Sequence, residues 1–173
     1  MTTETGIGMF WLLLILIVLL TVRKRSRTKE WTVYDFETGM LFKNGNFVKT
    51  LSSGKYKFSI DHEVLKVDSR PSQFSFQASS ATQNKKIIDY NIIVHFKISK
   101  PEIFINKSSA PVANIVHDKV RLSIREVFSK YHFDSFYQKQ SEIENAIMQD
   151  ANCELEIKGI EVTRIDLILL SLN

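Results

Sequence analysis

The chain has 173 residues, with 23 Lys and Arg against 19 Asp and Glu and a formal net charge of +4. The basic excess is local: setting aside Arg23, Lys24, Arg25, Arg27, Lys29 and Glu4 leaves 18 of each sign from 23 and 19. That neutral remainder argues against nucleic-acid binding, which needs a basic face on the domain, and a single cysteine, Cys153, excludes an intrachain disulfide.

Residues 6–22, GIGMFWLLLILIVLLTV, carry no charge. As a helix they extend about 26 Å, the short end of what crosses a hydrocarbon core of about 30 Å. A secretory signal peptide fits poorly. Its n-region should be basic, whereas Met-Thr-Thr-Glu-Thr has no Lys or Arg, and Thr21-Val22-Arg23 is a poor cleavage site. The run therefore reads as an uncleaved transmembrane anchor. Arg23, Lys24, Arg25, Arg27 and Lys29 follow at once, and positive flanks stay on the cytoplasmic side. The expected layout is a short non-cytoplasmic N-terminus at 1–5, the anchor at 6–22, a basic juxtamembrane linker at 23–30 and a cytoplasmic domain over 31–173. The five cations set topology, and they also suit anionic lipid headgroups at about 1 kcal/mol each.

The domain begins as β structure. Trp31–Phe36 and Met40–Lys43 read as short strands. Asn44-Gly45 between LFK and NFVK signals a two-residue hairpin, since Gly accepts the positive φ of a type I′ turn. Ser52-Ser53-Gly54 is the next turn. Tyr56, Phe58 and Ile60 then alternate with Lys55, Lys57 and Ser59, as in a half-buried strand. Leu65 and Val67 are expected on one face of the following strand, and Phe74 and Phe76 on one face of the next. The clearest strand is Ile88–Ile98. Ile88, Tyr90, Ile92, Val94, Phe96 and Ile98 share one side, and Asp89, Asn91, His95 and Lys97 the other. Pro101 ends it.

The second half turns helical. Val112, Val116, Val120, Ile124 and Val127 recur at helical spacing behind Pro111. His132-Phe133-Asp134 breaks the pattern. Ser141-x-x-Glu144 is a capping-box signature, followed by the stripe Ile143, Ile147, Ala151 and Leu155. Gly159 stops that second helix. Ile160–Leu170 is a final strand whose apolar phase shifts near Arg164, which predicts a bulge. An anchor, several antiparallel strands, two helices and a last strand make an α+β domain with helices on one face of the sheet.

No active site is legible. His62, His95, His117 and His132 are scattered, and His95 falls on the polar side of its strand. His117-Asp118 are neighbours on a helix, where i,i+1 side chains do not face each other. No G-x-S-x-G, H-E-x-x-H, Walker A or G-x-G-x-x-G motif occurs, and no Cys/His spacing suits a metal. No catalytic, cofactor-binding or metal-binding residue is therefore assigned, and no cofactor is expected. Cys153 lies off the second helix's apolar stripe without a cationic or His neighbour in sequence, the setting of an inert thiol.

The motifs taken together resemble the band-7 (SPFH) domain of stomatins, prohibitins and flotillins. Glu37-Thr38-Gly39-Met40 and Gly45 resemble its opening E-x-G-V and following glycine. Leu51-Ser52-Ser53-Gly54-Lys55-Tyr56 is similar to its L-x-P-G-x-H/Y turn, and Val67-Asp68-Ser69-Arg70 to its V-D-x-R strand end. Thr82-Gln83-Asn84 and Lys100-Pro101 stand where T-x-D and D-P flank the long strand. Ile124-Arg125-Glu126-Val127 with Phe133-Asp134-Ser135-Phe136 resembles L-R-x-V…L-D-E-L, and Gly159-Ile160-Glu161-Val162 resembles G-V-E-V. The chain departs at Ser53 for proline, Asn84 for aspartate, Ser129 for glycine and Lys158 for tryptophan. It stops at Asn173, before the long C-terminal helix with which family members form coiled coils, rings and cages. The resemblance thus implies a divergent member lacking the C-terminal coiled coil, which argues against assembly into large cages.

The resemblance also implies structural roles for Gly39, Gly54, Asp68, Arg70, Arg125 and Gly159. It implies a non-enzymatic scaffold that lies against the cytoplasmic membrane face, self-associates as a homo-oligomer, and organises membrane lipids or a membrane-protein client. The alternative it allows is a regulatory partner subunit of a membrane protease or transporter. An enzyme, such as a small membrane-tethered hydrolase, would need convergent polar side chains that no motif supplies.

Overall fold

The computed structural model describes residues 14–18, 28–108 and 110–172. The expected anchor over 6–22 lies outside the described residues except at 14–18, which are helical and exposed. Among the described residues no helix is long and apolar enough to cross a membrane. The rest forms two compact units. One holds the residues described up to Asp35 together with Gly39–Lys66, and the other holds Phe36–Thr38 and Val67 onward.

The first unit is all β. Strand β1 (Thr28–Val33) pairs antiparallel with β4 (Gly54–Ser59), and β2 (Glu37–Lys43) lies between β3 (Asn46–Leu51) and β5 (His62–Asp68). Asn44 (φ 49°) and Gly45 (φ 79°) form the expected hairpin turn, both in the left-handed region that a type I′ turn requires. Val33, Leu41, Leu51 and Val64 make the core, with Trp31, Tyr56 and Phe58 packed against it. Three expectations fail here. The first strand ends at Val33 rather than Phe36, because the chain turns at Asp35-Phe36. Ile60 is no strand residue but sits in the turn beside Asp61, 64% exposed. Leu65 does not share a buried face with Val67. Val64 is buried instead, and the boundary between the units falls at Lys66, so alternation is not kept through β5.

The second unit has the α+β form. Strands β6 (Ser72–Ala81), β7 (Ile87–Ile98) and β8 (Ile160–Leu172) form an antiparallel sheet in that order. Ile88, Tyr90, Ile92, Val94 and Phe96 line the buried side of β7 at 0–4% exposure, and Ile98 is half-buried. Onto that side pack α2 (Val112–Phe128) and α3 (Gln140–Leu155), through Val116, Val120, Ile124 and Val127, and through Ile143, Ile147, Ala151 and Leu155. Each of those eight is at most 3% exposed, so both sequence stripes are core. The expected bulge is present: His95 pairs with Arg164 and Phe96 with Val162, leaving Thr163 extra. A second irregularity leaves Leu170 between partners of Asp89 and Tyr90.

Two expectations are corrected in this unit. A third helix, α1 (Pro101–Lys107), follows β7 directly, with Pro101 in its first turn and Phe104 against the core. The capping box is not formed. Helix α3 begins at Gln140 behind Lys139 without a side-chain cap, and Glu144 is engaged elsewhere.

Candidate functional site

The residues singled out by motif do not converge on one site. Asp68 and Arg70 do meet, as a closed pair at the end of β5. Asp68 accepts from the Arg70 backbone N–H at 2.9 Å, from Nε at 2.9 Å and from Nη2 at 2.5 Å. The Arg70 guanidinium side-chain hydrogen bonds hold the Asp68 carboxyl below its ordinary value. Arg70 also covers the Phe36 ring at 4.0 Å, and Ser69 N–H donates to the Phe36 carbonyl. The pair thus fastens residues 36–38 to the end of β5.

The glycines act by close approach. A Cβ on Gly159 would stand 2.3 Å from the Lys100 carbonyl oxygen, and its φ of 75° is itself left-handed. The Gly159 carbonyl in turn accepts from Ser99 N–H and Lys100 N–H, joining the start of β8 to the start of α1. A Cβ on Gly39 would meet Val33 Cγ2 at 2.8 Å in the first unit's core. Gly54 has φ 152° at the start of β4. Arg125 is exposed on α2. Lys29 lies in β1 with its ammonium over the Trp31 ring at 4.1 Å. Arg23, Lys24, Arg25 and Arg27 lie outside the described residues.

Three polar clusters lie apart from these motif residues. On the first unit's β4–β5 turn, Ser59 Oγ bonds Asp61, and both reach His62 Nδ1 at 3.0 Å. Hydroxyl and carboxylate converge on the same ring nitrogen, so no proton can pass from one through the imidazole to the other. His117 and Asp118 do touch, at 3.1 Å, against expectation; the Asp118 side chain is exposed, and the His117 ring sits 4.7 Å from Phe76. His95 is half-buried and faces Asp166 at 3.3 Å, while Arg164 binds the other oxygen of Asp166 at 2.7 Å. Cys153 is exposed, as its position off the stripe requires. Among the described residues no group of His, Cys, Asp and Glu is placed to hold a metal ion.

The two edges of the second unit's sheet differ. The outer edge of β8 is clasped by side chains of α3. The Asn152 carboxamide takes both polar groups of Val162: Val162 N–H donates to Oδ1 at 2.8 Å, and Nδ2 donates to the Val162 carbonyl at 2.9 Å. Five residues on, Leu167 N–H donates to Glu144 Oε1 at 2.8 Å, and Gln140 Nε2 donates to the Leu167 carbonyl at 2.6 Å. A side-chain amide and an amide–carboxylate pair thus imitate a neighbouring strand and close this edge to others. The opposite edge, β6, reads SQFSFQASSA, without charge, proline or bulge, and among the described residues it pairs with β7 alone.

Sequence reasoning did not find the clasps, because Asn152, Gln140 and Glu144 look like ordinary helix-surface residues until β8 lies beside them. It also missed Lys119. Its side chain is 11% exposed, and its ammonium bridges Asp150 at 3.4 Å and Glu154 at 3.0 Å, tying α2 to α3. Asp150 is held below the ordinary carboxylate value by the Ser123 hydroxyl first and by Lys119 next.

Compared with known families, residues 31–169 match the SPFH domain / Band 7 family. The chain belongs to that family. No curated protein matches it as a relative. In the structure Gly39 and Gly159 sit where a Cβ would clash, and Asp68 and Arg70 bond each other. The structure also explains one departure. Asn84 stands where the band-7 pattern has aspartate, and its Oδ1 still accepts, from Thr82 Oγ1 at 2.7 Å and from Phe133 N–H at 3.3 Å. The acceptor is kept and the charge is lost. Membership is consistent with a role at membranes.

Proposed function

We propose that this protein is a membrane-anchored, non-enzymatic scaffold that self-associates on the cytoplasmic face and organises lipids or membrane proteins there. The observation that carries this reading is a band-7 domain at 31–169 standing directly behind an uncharged run at 6–22 and its basic flank. Residues 14–18 support it: they are helical, and Leu14 to Val18 are 40–56% exposed, an apolar surface suited to hydrocarbon rather than water. The flank Arg23, Lys24, Arg25, Arg27 and Lys29 holds the domain inside and adds attraction to anionic headgroups.

Cys153 is the only cysteine and is exposed, which gives a direct test of orientation. In intact cells a membrane-impermeant maleimide leaves Cys153 unlabelled, and permeabilisation makes it reactive. Alkaline carbonate leaves the protein in the membrane pellet. Labelling in intact cells overturns the orientation, and release by carbonate overturns the anchor.

A further inference from the structure

The open edge of β6 identifies its own partner. The clasps fix which backbone groups point outward. Val162 and Leu167 turn their N–H and C=O toward α3, so Phe96 and Ile92, opposite them on β7, turn theirs toward β6. Phe96 faces Ser72 and Ile92 faces Phe76. The even-numbered residues of β6 therefore bond β7, and Gln73, Ser75, Gln77 and Ser79 turn their N–H and C=O to the outside. Protein edges of this length are ordinarily blunted by charge, proline or a bulge, and β6 has none of them across ten regularly paired residues.

Its sequence is also a palindrome about Ser75: Gln73-Phe74-Ser75-Phe76-Gln77. We infer that β6 is a homotypic docking edge, on which a second copy of this chain pairs antiparallel, β6 to β6, about a two-fold axis at Ser75. This inference rests on the self-association reading above and names its surface. The register is self-complementary. Ser75 meets Ser75 and Gln73 meets Gln77 as hydrogen-bonded pairs, each exchanging both N–H···O=C bonds through groups that already face outward. Phe74 meets Phe76 as a non-hydrogen-bonded pair, where side chains stand closest and aromatic partners are favourable. Gln73 and Gln77 pair carboxamide to carboxamide on the other side. No charge is opposed or buried. A two-fold axis normal to the sheet keeps the helices of both copies on one side and closes the assembly at this edge, while the clasps on β8 prevent that edge from competing.

Disulfide trapping in the full-length protein tests the register. In a Cys153→Ser background, Ser75→Cys places two thiols on residues about 5.5 Å apart at Cα, within disulfide reach. Gln77→Cys places them four positions apart along the pair, about 13 Å, which is out of reach. The expected result, in mild detergent with a gentle oxidant, is covalent dimer for Ser75→Cys and none for Gln77→Cys. Ser75→Pro removes an outward N–H that β7 does not use, and Ser75→Lys sets two ammonium groups on the axis. Each is expected to shift the light-scattering mass downward with the far-UV circular dichroism unchanged. Should the proline variant misfold, the lysine variant and the cysteine pair decide the matter. An oligomeric wild type that gives no Ser75 cross-link, or cross-links equally at Gln77, overturns the β6 pairing and leaves self-association standing. A strictly monomeric wild type overturns both.

Discussion

Gly159 lets the start of β8 meet the start of α1 through one missing methyl group. With φ 75° and the Lys100 carbonyl 2.3 Å from where a Cβ would be, Gly159→Ala must strain the backbone and displace the start of α1. Left-handed strain and a backbone clash of this kind cost about 1–3 kcal/mol, and urea denaturation is expected to show a midpoint lowered accordingly. Asn152 holds its place differently. Asn152→Leu leaves Val162 N–H and C=O without partners, each worth about 1–3 kcal/mol when buried, and it reopens β8. The expected outcome is both a lower denaturation midpoint and a higher tendency to aggregate, read by light scattering on heating. Asp68 and Asp150, like Asp61 beside Ser59, contribute to the pH dependence. Both carboxyls lie below their ordinary value of 3.8 in the folded chain, Asp68 through Arg70 and Asp150 through Ser123 and Lys119. A lowered folded pKa contributes stability that is present above the unfolded value and is lost as pH falls through the folded one. Melting temperatures are therefore expected to be level from pH 5 upward, as far as these two groups go, and to fall below about pH 4, less so in Asp150→Asn.

At the scale of elements, periodicity was legible wherever one core decided it. The alternation of Ile88–Ile98 and the stripes on α2 and α3 appear in the sequence because one side of each meets a single apolar core. Asn44-Gly45 and the phase slip near Arg164 were legible because a turn and a bulge leave local marks. Other features depend on partners distant in sequence. Helix α1 is only seven residues long and begins where the Gly159 carbonyl holds Ser99 and Lys100, a contact no local pattern records. Glu144 satisfies the capping-box spacing, yet the Leu167 N–H is the donor it bonds. Leu65 misled because β5 passes from one unit into the other, so no single core sets its phase. The candidate interface was the least legible part. Whether a strand is central or an edge is a property of topology, and the uncharged run of β6 gains meaning only once β8 is seen to be clasped. Ile147→Ala, in the middle of the α3 stripe and fully buried, is expected to cost about 2–5 kcal/mol, while the equally apolar but exposed Leu122→Ala costs little, a contrast that chemical denaturation resolves.

For the whole molecule, the sequence divides the labour between the chain's ends. On the function proposed above, a neutral domain with a guarded edge and an open one supplies contacts, and the uncharged run with its basic flank holds it at the membrane where they act. Confinement to a plane raises the effective concentration of each copy, so that a pairing too weak to hold in dilute solution can persist at a membrane. The account is tested most directly by the light-scattering mass of the full-length protein in lipid nanodiscs or mild detergent, against a protomer mass of 20.0 kDa. It predicts a mass of two protomers or more that falls with Ser75→Lys. A single protomer across the accessible concentration range would contradict it, and would point instead to a domain that works only on a different partner, such as a membrane protease or transporter.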